Sequence, residues 1–118
     1  MNAEWVDRYI ADKYGCKADY PFAKYSDYAV YRHKDNRKWF AVVMQIPAEK
    51  LGIDKECLIT VMNLKCDPLL VGSLRKEKGF FPAYHMNKEK WISVLLDNNS
   101  DTEQIKYLID MSFDLTCK

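Results

Sequence analysis

The residues best suited to chemistry lie in one short stretch, residues 79–94, which reads GFFPAYHMNKEKWISV. It combines rings, an imidazole, an amide and a positive charge just before an apolar run, in Tyr84, His85, Asn87, Lys88 and Trp91. Rings stack on bases while lysines meet phosphates, so this mixture is typical of a nucleic-acid or nucleotide surface. A structural explanation is also open, in which Trp91 begins a core strand and His85 bonds a loop carbonyl.

Positive charge is concentrated in two segments, although the net charge of the chain is only +1. Residues 32–38, RHKDNRK, hold four positive charges and one negative, which gives +3. Residues 73–90 hold five positive and two negative charges, again +3. Residues 97–118 hold two positive and five negative charges, which gives −3. Basic segments attract phosphates. The candidate phosphate contacts are Arg32, Lys34, Arg37, Lys38, Arg75 and Lys78.

Both basic segments also have a structural interpretation. Charged residues at the tip of a hairpin are ordinary solvated surface, and cations such as Arg75, Lys76 and Lys78 favour the C-terminus of a helix. Nucleic-acid binding therefore predicts that the two segments converge into one positive patch. Segments on opposite sides of the molecule would remove most of the support for it.

The junction Lys65-Cys66-Asp67-Pro68 could hold an anion at a helix start, but Asp67 is itself the predicted cap and competes for that position. A cysteine at a helix start can have a lowered pKa, and His85 is the candidate base for Cys66. We favour a purely structural junction.

Other catalytic and metal-binding patterns are absent from the sequence. There is no Gly-rich phosphate loop, no G-x-S-x-G and no H-E-x-x-H, and Asp110 and Asp114 are interpreted as the solvated face of the last helix. The four cysteines form no C-x-x-C pair and the two histidines are far apart, so no zinc site or disulfide framework is predicted. We expect no catalytic activity, no cofactor and no metal.

The hydrophobic pattern predicts one domain over residues 1–118 with the order α-β-β-β-α-β-α and one additional short strand near residues 80–84. The first helix covers residues 3–14, presents Trp5, Val6, Tyr9 and Ile10 on one face and stops at Gly15. The strands are predicted at residues 27–33, 38–47, 57–65 and 91–97, with a hairpin turn at Asp35-Asn36.

Two further helices are expected to cover the sheet. The middle helix has Asp67 as its cap, an apolar side of Leu69, Leu70 and Leu74, and Gly79 at its end. The last helix is predicted to begin with a capping box, Ser100 with Glu103, and to bury Ile105, Leu108, Ile109, Ser112 and either Leu115 or Thr116. These elements indicate an α+β fold with an antiparallel sheet.

The motifs NLKCDPLLVGSLR and PAYHMNKEKWISVLLD, together with DYPF, KWFAVV and a serine near the end of the last helix, resemble the MmcQ/YjbR family from about Tyr20 to about Leu115. The resemblance implies a CyaY-like two-layer fold and DNA binding through a "double wing". The family often has histidine or arginine just before the tryptophan. Here Glu89 and Lys90 stand there, and Glu89 weakens a phosphate contact at that turn.

We therefore expect a non-catalytic DNA-binding module. The alternative is a protein-interaction or small-ligand-binding module that uses an aromatic sheet face, because both alternating faces of KWFAVVMQI and WISVLL are largely apolar. An enzyme is the third class and predicts a deep pocket with a strongly perturbed titratable group. The charged N-terminus and the lack of a long apolar run predict neither a signal peptide nor a membrane span. Together with the lack of a disulfide framework they indicate a reducing, cytoplasmic setting. The sequence does not determine the oligomeric state, and we favour a monomer.

Overall fold

The computed structural model describes residues 3–22, 24 and 28–117. In chain order its elements are α1 (Glu4–Tyr14), β1 (Ala29–Arg32), β2 (Trp39–Pro47), a 3-10 helix (Ala48–Leu51), β3 (Leu58–Lys65), α2 (Pro68–Leu74), β4 (Phe80–Pro82), β5 (Trp91–Leu96) and α3 (Thr102–Thr116). The five strands form one antiparallel sheet in the order β1-β2-β3-β5-β4. This confirms the α+β class and the additional short strand. The predicted strand start at Asp27 lies outside the described residues, as does part of the irregular segment 17–26.

The two faces of the sheet are covered differently. The inner face packs on all three helices, and its core includes Ala41, Leu64 and Ile92 from three neighbouring strands. The outer face, opposite the helices, carries a smaller apolar cluster around Val42, Met44 and Val61. Partly buried rings and loop residues pack against this cluster. Strand residues alternate between the two faces. Because both faces are covered, the central strands carry apolar residues on both.

Local capping signals position α1 and α2 as predicted. Gly15 ends α1 with a left-handed backbone, φ 66°, and its N–H bonds the Ala11 carbonyl. The Asp67 side chain accepts the N–H of Leu69 at 3.0 Å. The apolar side predicted for α2 was wrong in part, because Leu69 is 87% exposed and Leu70 39% exposed. The helix instead buries Val71 and Leu74, and it ends at Leu74 rather than at Gly79.

The start of α3 also differs from the capping box predicted at Ser100. Asp101 is the cap, and its carboxylate accepts the N–H of Gln104 at 3.1 Å. Ser100 closes the preceding turn, where its hydroxyl accepts the N–H of Asp97 at 2.9 Å. The predicted buried stripe of α3 is confirmed, and of the two residues left open at its end, Thr116 is buried and Leu115 is exposed.

Strand directions divide the loops between the two ends of the sheet. We call the end of the sheet that carries the turn between β1 and β2 the hairpin end. The same end carries the start of α2, the loop between β4 and β5 and the end of α3. The start of α3 and the segment after α2 lie at the opposite end, where Glu77 accepts a hydrogen bond from Gln104 at 3.1 Å. Among the described residues, no helix combines the length and the apolar composition that crossing a membrane requires.

Candidate nucleic-acid interface

The hairpin tip, residues 33–38, is docked on the end of α3. Asn36 donates to the Thr116 carbonyl at 2.9 Å, and the ring of His33 contacts the Thr116 hydroxyl at 2.7 Å. That hydroxyl also lies 2.8 Å from the Ser112 carbonyl, so it links the hairpin tip to the last turn of α3. The tip therefore presents Lys34, Arg37 and Lys38, all exposed, from a fixed base.

Two pairs of a cation and a tryptophan cross the outer face at the hairpin end. The Arg32 guanidinium lies 5.7 Å from the centre of the Trp39 ring, and Lys65 Nζ lies 5.8 Å from that of Trp91. Arg32 pairs with Trp39 across β1 and β2, and Lys65 pairs with Trp91 across β3 and β5. The two tryptophans stand two strand spacings apart, roughly 10 Å. Each pair offers a flat ring beside a positive charge.

Arg32 is already held by the protein. Its Nη2 forms an ion pair with Asp19 at 3.0 Å, and its side chain is 23% exposed. Its Nε is buried and has no hydrogen-bond partner among the described residues. Arg32 thus fixes the edge of the outer face and leaves Lys34 and Arg37 as the more exposed cations.

The loop between β4 and β5 is pinned to the outer face through its backbone. Asn63 donates to the Tyr84 carbonyl at 2.8 Å, and the Tyr84 N–H donates to the Ser93 hydroxyl at 2.9 Å. Ser93 in turn donates to Asn63 Oδ1. Asn63 and Ser93 are buried on this face, and their evident function there is to hold Tyr84.

Residues of this loop divide between structural and exposed roles. Asn87 closes a turn by accepting the N–H of Glu89 at 2.8 Å, and Lys88 Nζ donates to the Ala83 carbonyl at 3.0 Å. His85 is exposed, has a left-handed backbone with φ 59°, and stacks on Tyr84 with ring centres 3.9 Å apart. A left-handed histidine is strained compared with glycine, and such strain is concentrated at functional sites.

The structure divides the second basic segment. Arg75 and Lys78 follow α2 at the end of the sheet opposite the hairpin, whereas residues 84–90 share the hairpin end. α3 has 15 residues and separates the two ends by roughly 20 Å. The predicted convergence of the two basic segments into one positive patch is therefore wrong for Arg75 and Lys78, and only residues 84–90 of the second segment share an end of the sheet with Lys34 and Arg37.

Cys66 and His85 do not meet. Cys66 is buried in the inner-face core, whereas His85 lines a groove on the outer face. Burial, and secondly the neighbouring Asp67 carboxylate, raise the pKa of the Cys66 thiol, which is opposite to the lowering that a helix start can produce. Burial likewise raises the pKa of Cys16, and nearby Lys34 offsets this only in part.

Asp110 was predicted to lie on the solvated face of α3, and this is wrong. Its carboxylate accepts hydrogen bonds from Tyr9 at 2.8 Å, from Tyr14 at 2.5 Å and from Lys13 at 2.8 Å, and so joins α1 to α3. Burial alone would raise the pKa of Asp110, but the hydrogen bonds from these three residues outweigh it and hold the pKa below its ordinary value. Asp114 is exposed as predicted.

The sequence interpretation missed Trp39 as a site residue and considered Lys65 only as part of a junction. One signal was available: both Trp39 and Trp91 are the first residue of a strand and both directly follow a lysine. That repeated pattern places a ring at the end of the sheet next to a charged turn. The pairing of Lys65 with Trp91 required the register between β3 and β5.

The serine near the end of α3 has a structural explanation. Ser112 is buried, donates to the Phe40 carbonyl and accepts the N–H of Lys65 at 2.9 Å. Phe40 lies at the irregularity in the pairing of β1 with β2, where the pairing shifts from Tyr31–Ala41 to Arg32–Trp39. Ser112 thereby supplies backbone hydrogen bonds to β2 and β3 and supports the alignment of Arg32 with Trp39.

Comparison with known proteins agrees with this fold and these motifs. The YjbR family model matches residues 11–115 of the chain. This chain belongs to the YjbR family. Uncharacterized protein YyaQ of Bacillus subtilis (strain 168) is 40% identical over 116 residues, which covers 98% of both chains.

Solved structures share the architecture of this YjbR-family protein. A Pseudomonas syringae protein in its crystal structure is 52% identical, with a TM-score of 0.95 over 98% of this chain and 99% of its own. A Deinococcus radiodurans protein is 24% identical, with a TM-score of 0.69 over 94% of this chain and 75% of its own, and it shows the fold alone.

Proposed function

We propose that this YjbR-family protein is a non-catalytic nucleic-acid-binding module, with DNA as the partner, and that it binds across the hairpin end of the sheet. The observation that supports the proposal most is the pair of cation–tryptophan contacts, Arg32 with Trp39 and Lys65 with Trp91, on one sheet face. Rings on a sheet stack on bases, and cations near them meet the backbone. Arg32 itself is held by Asp19 and orients the Trp39 ring. The hairpin tip adds Lys34 and Arg37 at the same end.

Charge placement gives the proposal a matched test. K34Q/R37Q removes two charges from the hairpin end, and R75Q/K78Q removes two from the opposite end, so both variants change the net charge from +1 to −1. Fluorescence anisotropy of a labelled mixed-sequence DNA, as duplex and as single strand, is measured over a range of salt concentrations. We expect the hairpin-end variant to lower the slope of log affinity against log salt by about 1.4–1.8, because each lost phosphate contact removes about 0.7–0.9.

The control variant R75Q/K78Q is expected to keep the slope of the unmodified protein. No binding to either DNA form at low salt would refute the proposed function. Equal losses in the two variants would refute the hairpin-end location, because attraction by net charge alone does not depend on where the charge lies.

The alternative function is a small-ligand-binding module. It is favoured by one specific observation, a largely apolar groove of about 350 Å³ on the outer face, which is within the size range of small-molecule sites. Binding of this kind is insensitive to salt and is unchanged in K34Q/R37Q, so the same titrations separate it from binding to DNA.

A further inference from the structure

The groove on the outer face has a floor of Val42 and Met44 and two aromatic walls. Phe22 and Trp39 form one wall, with ring centres 5.7 Å apart and planes at 90°. The stacked rings of Tyr84 and His85 form the other. Aromatic walls of this kind favour a flat ring as the occupant, because flat rings gain the most contact with aromatic faces.

One wall of this groove is fixed before any ligand arrives. The buried Asn63 and Ser93 hold the Tyr84 backbone through two hydrogen bonds, and a third, from Ser93 to Asn63, closes the ring of contacts. The stacked Tyr84–His85 pair therefore projects from an anchored backbone rather than from a loose loop. Such preorganisation reduces the entropic cost of binding.

A polar, basic cleft of about 340 Å³ is lined in part by Arg32, the residue whose guanidinium contacts the Trp39 ring. Its lining carries a net charge of +3, from four cations and the carboxylate of Asp19. The cations are Lys17, Arg32, Lys34 and Arg37. Arg32 lines the cleft and Trp39 lines the groove, and the Arg32 guanidinium lies 5.7 Å from the centre of the Trp39 ring, so this pair connects the two linings. A ligand that fills both combines a flat ring with an anion, which is the chemistry of a nucleotide.

We infer that the groove binds one unpaired base of a single-stranded nucleic acid while the cleft holds an adjoining phosphate, so that the protein prefers single strands to duplexes. The inference rests on the proposed nucleic-acid function and specifies the form of the partner. In a duplex the base is stacked and paired, and it reaches such a groove only after unpairing. The Asn63 amide is committed to Tyr84 and Ser93, so the groove recognises the faces of a base more than its edge, and little sequence preference is expected.

The test compares an oligothymidylate of about twelve nucleotides, the same strand with central abasic sites, and a duplex of equal length, all at one salt concentration. The variant Y84A/H85N removes the second wall, and asparagine tolerates the left-handed backbone at position 85. We expect the variant to lose roughly 5- to 150-fold in affinity for the oligothymidylate, the range of one lost stacking contact. The affinity for the duplex and for the abasic strand is expected to stay unchanged.

Thermal unfolding and circular dichroism establish that the variant is folded. If it is not, H85N alone serves, because Tyr84 then keeps its ring and its anchored backbone. Equal affinity for single strand and duplex in the unmodified protein, with no selective loss in the variant, would overturn the inference and leave the proposed function intact. No binding to any nucleic acid would defeat both. Binding of free thymidine monophosphate as tightly as the oligothymidylate would also overturn it, because the occupant would then be a free nucleotide.

Discussion

Replacing Ser93 by alanine tests whether the hydrogen-bonded ring beneath the loop between β4 and β5 anchors that loop. Ser93 has no exposed surface, and its hydroxyl accepts the Tyr84 N–H at 2.9 Å and donates to Asn63 Oδ1. Alanine leaves the Tyr84 N–H without its acceptor and Asn63 Oδ1 without its donor. Each unsatisfied buried group costs about 1–3 kcal/mol, so S93A is expected to lower the free energy of unfolding by roughly 2–6 kcal/mol. This is a large share of the 5–15 kcal/mol that is typical of a domain.

Equilibrium unfolding in urea measures the loss, and the m-value is expected to remain unchanged while the midpoint falls. The control is Ser73→Ala on the exposed surface of α2, which is expected to shift stability by no more than about 0.5 kcal/mol. Asn63→Ala and the double variant complete a double-mutant cycle. We expect the two losses to be strongly non-additive, because both residues belong to one network. A loss in S93A of less than about 1 kcal/mol, or additive losses in the cycle, would refute the reasoning.

Three further predictions follow from burial, charge and backbone conformation. The lowered pKa of Asp110 contributes stability that is complete above its ordinary pKa of 3.8 and is lost as the pH falls towards the folded-state pKa. The free energy of unfolding, measured at a series of acid pH values, should therefore show that D110N destabilises the protein most near neutral pH and less as the pH falls below 3.8. A thiol reagent should label the exposed Cys57 and Cys117 quickly in the native protein and all four cysteines only after denaturation. Gly72→Ala should raise the free energy of unfolding by about 0.4–1 kcal/mol, and with it the melting temperature, because a Cβ at this helical position meets nothing within 4 Å.

Sequence patterns were sufficient where the physical cause is local. The Gly15 stop of α1, the Asp67 cap of α2 and the alternating strands depend on neighbouring residues, and they were predicted correctly. The long α3 has enough turns for its apolar period to reveal the buried stripe. α2 has seven residues, about two turns, which is too short to show which of its leucines face the core. The cap of α3 was misplaced by one residue because Ser100 and Asp101 are both good caps.

The composition of the candidate interface was decided by the tertiary structure. The sequence alone determined the chemical types available: two basic segments and a loop rich in rings and polar groups. Strand order then separated Arg75 and Lys78 from the hairpin end, although they are close in sequence to Tyr84. The shift in register between β1 and β2 aligned Arg32 with Trp39, and the pairing of β3 with β5 placed Lys65 on Trp91. Such contacts join residues far apart in the chain, and only the global balance of burial and backbone pairing selects them.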